Sequence, residues 1–330
     1  MSEIYDGLMH RPVLYHQIIH ALRPSPACLY VDGTLGAAGH AWGILQASSP
    51  DGRLLGLDLD PAALEIARSR LALYGERAVL RQASYAALQE QLQALGWERV
   101  NGILLDLGVS SMQLDSPQRG FSFQSDAPLD MRFDPQGPLR ASDLVNDLPE
   151  QELAQLLYRY GEEEHARQIA RAVVRARPVH TTAQLAAIVA GVSVKSRSGT
   201  RRVRPGRSIH PATRTFQALR IAVNRELETL EIVLPQAVAA LAPGGRLAVI
   251  SFHSLEDRIV KQFFRRESQD CLCPPRQPVC TCGHKATLIE LTRRPVTPQP
   301  DEIAQNPRSR SARLRVAERV SPSINLMEGE

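Results

Sequence analysis

Short apolar runs, each ending in an aspartate, recur through the first third of the chain. The three runs with their aspartates are 29–31 with Asp32, 53–57 with Asp58, and 102–105 with Asp106. Runs this short, separated by segments of helical spacing, are typical of buried strands in a parallel sheet covered by helices on both faces. A further run lies at 246–250. The pattern predicts an α/β fold with a mostly parallel sheet and places three carboxylates at one edge of it.

Helical spacing follows the second run and then dominates the middle of the chain. The early helix begins at Asp60-Pro61, since Asp caps a helix and Pro fits its first turn. Further predicted helices cover 149–177 with a break at Gly161, 181–190, and 211–241 with a bend or break at Pro235. The segment 114–140 is predicted to be a long ordered loop. We therefore predict an α/β domain at 1–113 and 213–320, a mainly helical inserted domain at 114–212, and a flexible tail at 321–330.

Composition narrows the class of protein. With 330 residues, 43% of them apolar, the chain is long enough for about two globular domains. Its apolar runs are far shorter than the roughly 18 residues that cross a bilayer, and its N-terminal segment lacks a signal-peptide core. Four of the five cysteines crowd into one short segment, unlike a disulfide framework. We expect a cytoplasmic protein without a membrane partner.

Cationic side chains concentrate in one segment. Residues 195–220 contain eight Lys or Arg and no acid, although the whole chain has only 39 basic against 35 acidic residues. Four further arginines near the C-terminus are Arg308, Arg310, Arg313 and Arg315. Such basic zones are typical of polyanion-binding surfaces, with nucleic acid the first candidate. A solvated basic loop without a partner is the alternative that charge leaves open.

A glycine-rich turn follows the first run. Gly33, Gly36 and Gly39 are spaced G-x-x-G-x-x-G, and Asp32 precedes them. This spacing differs from the G-x-G-x-x-G of dinucleotide sites, and a leading acid repels a pyrophosphate but attracts a cation. The sulfonium and ammonium groups of S-adenosylmethionine therefore fit better than NAD, and Asp58 can accept hydrogen bonds from both ribose hydroxyls. An ordinary strand–helix turn is the alternative.

Two further polar segments are predicted at the same sheet edge. Asp106 is followed by Ser110 and Ser111, an acid and two hydroxyls that can hydrogen-bond to a substrate. Alternatively, Asp106 caps a helix and the serines form a turn. The run 253–258 either contacts substrate or begins a helix with Ser254 as its cap.

Four cysteines form two C-x-C pairs just before His284. They are Cys271, Cys273, Cys280 and Cys282. Two thiol pairs in one loop can hold a tetrahedral zinc ion, but the usual zinc spacing is C-x₂-C. A reduced, proline-stiffened loop is the alternative, and we predict no metal. Cys28, beside the first run, is interpreted as a small core residue.

Longer motifs resemble one family closely. They are DGTLGAAGH at 32–40, LLDLGVSSMQLD at 104–115, HPATRTFQALRIAVN at 210–224 and APGGRLAVISFHSLEDR at 242–258. The sequence resembles the bacterial ribosomal RNA small-subunit methyltransferase H family, also called MraW, over nearly the whole chain. The resemblance implies a class I methyltransferase, Rossmann-like fold with an inserted all-helical domain. It also implies S-adenosylmethionine-dependent methylation of the N4 amine of a cytidine in the decoding region of 16S rRNA.

The resemblance also implies site residues. Its cofactor contacts fall on Ala38, Gly39, His40, Asp58, Tyr85, Asp106 and Gln113. Together with the turn residues, these form the predicted cofactor site. Ala38 stands where many relatives have glycine, which is tolerable if its φ is negative. For catalysis we predict that Asp106, with Ser110 and Ser111 as neighbours, accepts hydrogen bonds from the reacting amine.

Two other functions compete with methylation. An NAD-dependent oxidoreductase is disfavoured by Asp32 and by the glycine spacing. A non-catalytic rRNA-binding assembly factor that keeps a cofactor pocket also fits the sequence. The predicted partner is 16S rRNA, either free or in the small ribosomal subunit, and the chain is a monomer or a homodimer.

Overall fold

A seven-stranded sheet forms the centre of the first of two structural units. The computed structural model describes residues 12–197, 210–277 and 279–321. The first unit consists of Met1–Gly108 and Leu227–Glu330, and the second of Val109–Glu226. The strands of the first unit are β1 (Leu29–Asp32), β2 (Arg53–Asp58), β3 (Ala78–Gln82), β4 (Val100–Asp106), β5 (Leu241–Ser251), β6 (Leu288–Glu290) and β7 (Arg313–Arg319).

Helices cover the sheet and form the second unit. In chain order they are α1 (Tyr15–Leu22), α2 (Gly39–Ala47), α3 (Pro61–Leu71), α4 (Leu88–Ala94), α5 (Ser111–Asp115), α6 (Ala141–Asp147), α7 (Glu150–Gly161), α8 (Ala166–Ala176), α9 (Thr182–Arg197), α10 (Ala212–Asn224), α11 (Glu226–Ala240), α12 (Ser254–Glu267) and α13 (Pro300–Gln305). The predicted start of α3 is confirmed, because the Asp60 side chain accepts a hydrogen bond from the backbone N–H of Ala62 at 3.0 Å. None of the described helices combines the length and apolar character needed to span a bilayer.

The order of the sheet brings the carboxyl ends of β1 and β4 side by side. The order is β3-β2-β1-β4-β5-β7-β6, in which β1 to β5 are parallel and β7 is antiparallel to both of its neighbours. The predicted, mostly parallel sheet is therefore confirmed. Strand order reverses at β1, and open α/β sheets bind ligands outside the carboxyl ends at such a reversal. Asp32, Asp58 and Asp106 are the last residues of β1, β2 and β4.

Successive strand residues face two different cores. Val31 and Leu55 are buried on one face of the sheet, against α4, α11 and α12. Tyr30 and Leu54 are buried on the other face, against α1, α2 and α3. Because both faces are covered, these strands are apolar throughout, which explains why they can be recognised as short apolar runs.

Three strands are absent from the sequence-based prediction, namely β3, β6 and β7. Only one of the three, β7, contributes strongly to the core: its residues 314–317 are buried. Its arginines at 313 and 315 obscure the apolar pattern, and β7 pairs with β5 across a long stretch of intervening chain. The prediction of a mostly parallel sheet therefore missed its one antiparallel strand.

Helices α6 to α10 enclose the core of the second unit. Leu157, Ile169 and Phe216 are among its buried residues. The predicted break at Gly161 is confirmed, since α7 ends there and α8 begins at Ala166. The segment predicted as one long loop, 114–140, begins within α5 and ends one residue before α6.

The boundary between the units differs from the predicted one. The helical unit extends to Glu226 instead of 212, because α10 packs Phe216 and Leu219 into the helical core. Of the predicted bend or break at Pro235, the break is wrong. Arg225, with φ of 50°, separates α10 from α11, whereas α11 continues through Pro235.

Candidate active site

The turn after β1 is held together by carboxylates. Asp32 Oδ1 accepts a hydrogen bond from the backbone N–H of Thr34 at 3.1 Å. Asp58 accepts from two backbone N–H groups, that of Gly36 at 2.8 Å and that of Asp60 at 2.9 Å. Gly36 has φ of 50°, a conformation that glycine adopts without strain. Each Asp58 oxygen keeps a second lone pair, so the carboxylate can still accept hydrogen bonds from a ligand's hydroxyls.

Asp106 lies next to this turn at the end of β4. Its backbone N–H donates to Thr34 Oγ1 at 2.6 Å, and its Oδ2 is 3.6 Å from His40 Nε2. Asp106 Oδ1 and both ring nitrogens of His40 are buried and have no hydrogen-bond partner among the described residues. Buried polar atoms without partners are rare in native proteins and indicate a missing ligand or water.

Burial dominates the electrostatics of the site. It raises the pKa of Asp32 to about 7; His40 opposes this rise, and the nearby Asp106 and Asp58 add to it. Burial also raises the pKa of Asp58, partly offset by the N–H groups of Asp60 and Gly36. A buried carboxyl such as Asp32, held partly protonated near neutral pH, favours a cationic ligand, which restores its charged form.

Ala38 contradicts the expectation of a negative φ. It is fully buried and has φ of 60°, in the left-handed region, at the N-cap of α2. The cost of this conformation for a residue with a Cβ is roughly 1–2 kcal/mol. The first backbone N–H groups of any helix lack an intrahelical acceptor, and the Ala38 side chain cannot cap those of α2.

At the other two glycines of the motif, Gly33 and Gly39, neighbouring side chains leave no room for a Cβ. A Cβ at Gly39 would lie 2.3 Å from Pro12 Cγ, and one at Gly33 would lie 2.7 Å from Leu105 Cδ2. The same Cβ at Gly33 would approach the Tyr85 Cβ to 3.2 Å. Tyr85 begins the short 3₁₀ helix Tyr85–Ala87 after β3 and lies partly buried against the core.

Ser110, Ser111 and Gln113 belong to the second unit, at the start of α5. Ser110 Oγ accepts from the Gln113 N–H at 3.2 Å, and Gln113 Oε1 accepts from the Ser110 N–H at 3.1 Å. This reciprocal pair is a capping box, so Ser110 and not Asp106 caps a helix here. Contacts of these three residues with a ligand stay predictions.

The polar run 253–258 begins helix α12, and its contact with substrate stays a prediction. His253 caps α12 in place of the predicted Ser254. Glu256, only 2% exposed, accepts hydrogen bonds from the backbone N–H groups of Phe252 and His253. Asp257 is bound by Arg315 at 2.7 Å. Burial opposes ionisation of Asp257, but the hydrogen bonds from arginine hold its pKa below the ordinary value.

Two of the arginines predicted as possible RNA-binding cations form ion pairs with carboxylates of the protein itself. Arg220 donates to both oxygens of Glu226, at 2.8 and 2.9 Å. Arg315 is 3% exposed and lies in the ion pair with Asp257. Their charges stabilise the fold. The centre of the basic segment, 198–209, lies outside the described residues.

Two residues that sequence reasoning missed support the turn. Thr34 joins the turn to β4, as described above. Arg70 of α3 donates to the Ala37 carbonyl at 2.6 Å, and burial lowers the pKa of this guanidinium. Thr34 could have been noticed, because a hydroxyl follows Asp32 and Gly33 directly. Arg70 lacks such a signal, because its contact spans 33 residues of sequence.

Fold and site together define the class of protein. A parallel sheet that reverses at β1 and contains one antiparallel strand, β7, between β5 and β6, with an acidic glycine turn after β1, is that of a class I methyltransferase. The family model for MraW methylases matches residues 7–320. The chain therefore belongs to the MraW methylase family, and its cofactor is S-adenosylmethionine.

Relatives are similar over nearly the full length. A protein named ribosomal RNA small subunit methyltransferase H from Geobacter sulfurreducens is 54% identical over 314 residues, which are 94% of this chain and 99% of that protein. A protein of the same name from Thermomicrobium roseum is 53% identical, covering 94% of each chain. Among solved structures, an rRNA methylase from Streptococcus thermophilus is 10% identical with a TM-score of 0.40, covering 93% of this chain and 94% of that one. A structural similarity at that level carries no argument about function.

Proposed function

We propose that this protein methylates the exocyclic N4 amine of a cytidine in the decoding region of 16S rRNA. The name shared by the relatives supports small-subunit rRNA as the substrate. The motif resemblance supports the cytidine amine. The observation that carries the proposal is the buried Oδ1 of Asp106, which has no partner and lies beside the unpartnered ring of His40.

The turn after β1 suits S-adenosylmethionine, which supplies an electrophilic methyl group on a sulfonium. Asp58 would accept hydrogen bonds from the ribose hydroxyls while it clamps the Gly36 N–H. The uncapped N–H groups at the start of α2 suit the methionine carboxylate. Asp32, whose pKa is raised by burial, would regain its charge beside a cationic group of the cofactor.

Asp106 would prepare the amine for attack. A cytosine amine is a weak nucleophile because its lone pair is delocalised into the ring. A fixed acceptor for one N–H bond favours the pyramidal nitrogen of the transition state, and Asp106 Oδ1 offers such an acceptor. Thr34 fixes the backbone at Asp106, and His40 would act as a positioning residue through the second carboxylate oxygen. This route needs no covalent bond to the protein, so positioning supplies much of the rate enhancement.

Ser110, Ser111 and Gln113 keep the roles that the sequence predicts for them. Ser110 Oγ accepts from the Gln113 N–H in the capping box and can still donate its own proton to a substrate. We keep Ser110 and Ser111 as proposed neighbours of the reacting amine, and Gln113 as a proposed cofactor contact.

The basic segment would bind the rRNA backbone. Residues 195–220 carry eight cations and no acid, and seven of these cations remain for RNA because Arg220 is paired with Glu226. Phosphate contacts of this kind position the RNA, whereas contacts with the base select the nucleotide. The target cytidine must be unstacked or single-stranded to reach the end of β4.

A methyl-transfer assay tests the proposal. The protein is incubated with tritiated S-adenosylmethionine and either undermethylated small subunits or free 16S rRNA, and the RNA is digested to nucleosides. We expect the label in N4-methylcytidine, and the comparison of the two RNAs identifies the substrate. RNA binding without transfer to either RNA would identify a non-catalytic assembly factor, and label in another nucleoside would refute the choice of the cytidine amine.

A further inference from the structure

Four cysteines meet in the loop between α12 and β6. We propose that Cys271, Cys273, Cys280 and Cys282 bind one zinc ion, the alternative that their spacing leaves open. The four Sγ atoms lie within 4.8 Å of one another. This site is separate from the methyltransferase site and does not depend on the proposed function.

The sulfur–sulfur distances match a tetrahedral ion. Cys271 Sγ lies 3.4 Å from Cys280 Sγ and 3.8 Å from Cys282 Sγ. Cys280 Sγ lies 4.0 Å from Cys273 Sγ and 3.6 Å from Cys282 Sγ. In a tetrahedral site with Zn–S bonds of about 2.3 Å, neighbouring sulfur atoms are about 3.8 Å apart. All four distances exceed the roughly 2.05 Å of a disulfide bond, and the five cysteines are free thiols.

The four cysteine thiols are a complete set of ligands for a single soft metal ion. His284 is not needed as a ligand: its Nε2 lies 3.1 Å from the Arg266 carbonyl oxygen. Four thiolates around one centre are typical of zinc or a single iron. An iron–sulfur cluster is disfavoured, because its thiolates bind different irons and lie farther apart than these sulfur atoms.

Backbone groups of the loop point at the sulfur atoms. The N–H of Leu272 donates to Cys282 Sγ at 3.3 Å, and the N–H of Thr281 donates to Cys273 Sγ at 3.4 Å. Such hydrogen bonds orient metal ligands and stabilise thiolate charge. The C-x-C spacing, shorter than the usual C-x₂-C, is thus compatible with convergence of the four thiols.

Apart from the cysteines, the described part of the loop tip is held by polar contacts of Gln277, whose Nε2 donates to the Val279 carbonyl at 3.0 Å and to Thr281 Oγ1 at 2.8 Å. The neck of the loop is pinned by backbone and side-chain hydrogen bonds, from Thr287 N–H to the Glu267 carbonyl at 2.8 Å and from Ala286 N–H to Asp270 at 3.3 Å. Between these points the larger apolar side chains are exposed: Leu272 by 41% and Val279 by 70%. With no apolar core, a bound metal ion is the interaction that can offset the conformational entropy of ordering the tip.

Metal analysis of the full-length protein tests the site. The protein is stripped under reducing conditions, reloaded with zinc, freed of excess metal, and measured by mass spectrometry of the element. We expect about one zinc per chain in the wild type, and less than a tenth of that in Cys271→Ser and Cys282→Ser. Cys28→Ser is the matched control, since Cys28 lies in the turn before β1 and hydrogen-bonds with Ser25 Oγ at 3.3 Å. It should retain the full zinc content.

Cobalt substitution provides a readout that does not depend on variants folding. The wild type loaded with Co²⁺ should show the thiolate-to-cobalt charge-transfer band and the strong visible bands of a tetrahedral site. Four thiols should be protected from a thiol reagent by zinc and released by a chelator. A reduced wild type that takes up neither ion, or an unchanged zinc content in both serine variants, would overturn the proposal; so would iron retained in place of added zinc.

Discussion

Replacing Asp32 with Asn should increase the stability of the protein near neutral pH and weaken its affinity for the cofactor. Asp32 is 1% exposed, and burial raises its pKa from 3.8 to about 7. A raised pKa means that the folded protein binds this proton more tightly than the unfolded chain does. The stability contributed by the proton is fully present below pH 4 and is lost as the pH rises towards 7.

The size of the effect follows from the shift. At about 1.4 kcal/mol per unit, a shift from 3.8 to about 7 makes ionised Asp32 cost about 4 kcal/mol of folding free energy. About 2 kcal/mol of this change falls between pH 5 and pH 7, because the unfolded chain is already ionised there and the folded protein is not. The Asp32→Asn variant lacks this titration and should gain stability relative to the wild type as the pH rises.

Urea unfolding without cofactor at pH 5 and pH 7 measures the effect. The difference in unfolding free energy between variant and wild type should grow by about 2 kcal/mol over this interval. Leu73→Ala, at a 74% exposed position without a titratable side chain, should keep the pH dependence of the wild type. If Asp32→Asn also keeps that dependence, the titration assigned to Asp32 is wrong.

Ionisation of Asp32, which costs folding free energy, should strengthen the binding of the cofactor. The ionised fraction of Asp32 rises from about a tenth at pH 6 to about nine tenths at pH 8, given a pKa of about 7. Calorimetry should therefore show S-adenosylmethionine binding about tenfold tighter at pH 8 than at pH 6 in the wild type, and a flat, weaker affinity in Asp32→Asn. A wild-type affinity that does not change with pH would contradict the role of Asp32 as a partner for a cation.

Three further predictions concern the turn and the basic segment. Asp58→Ala should weaken S-adenosylmethionine at least about tenfold by calorimetry, because it removes a charged acceptor and the clamp on Gly36; unchanged affinity would exclude the assignment. In urea unfolding, Ala38→Gly should cost at least about 1 kcal/mol less stability than Ala41→Gly, because only the substitution at Ala38 relieves the strain of a positive φ. Equal losses of stability would show that the backbone at Ala38 is unstrained. Replacing Arg201, Arg202 and Arg204 together with Gln should reduce the salt dependence of rRNA binding by about two to three units and leave cofactor affinity unchanged; a wild-type salt dependence would reduce the segment to a linker.

The edge of the sheet that carries the candidate cofactor residues can be predicted from the sequence because the signals for it are local. A buried strand that ends in Asp32, Asp58 or Asp106 is visible within a few residues, and the parallel sheet brings these ends together. The start of α3 at Asp60-Pro61 is equally local. Each of these features depends on neighbours in sequence, so the pattern of apolar and polar positions is sufficient to find it.

Features that depend on contacts between residues far apart in sequence cannot be predicted from such local patterns. Arg315 is indistinguishable from a surface cation until Asp257, 58 residues earlier, is seen to neutralise it. The sign of φ at Ala38 is set by the tertiary fold, which overrides the local preference of alanine. The four thiols of the C-x-C pairs come together only in the folded loop, so their spacing alone does not predict the proposed metal site.

Single-turnover methyl transfer by the Asp106→Asn variant tests the central claim most directly. Wild type and variant, saturated with tritiated S-adenosylmethionine, are mixed in excess with undermethylated small subunits. Asn preserves the shape but removes the charged acceptor, so the rate constant should fall about 10²–10³-fold. Asp51→Asn, which neutralises an exposed carboxylate in the turn before β2, should keep the wild-type rate. A rate for Asp106→Asn within a few-fold of the wild type would contradict the placing of the reacting amine at Asp106.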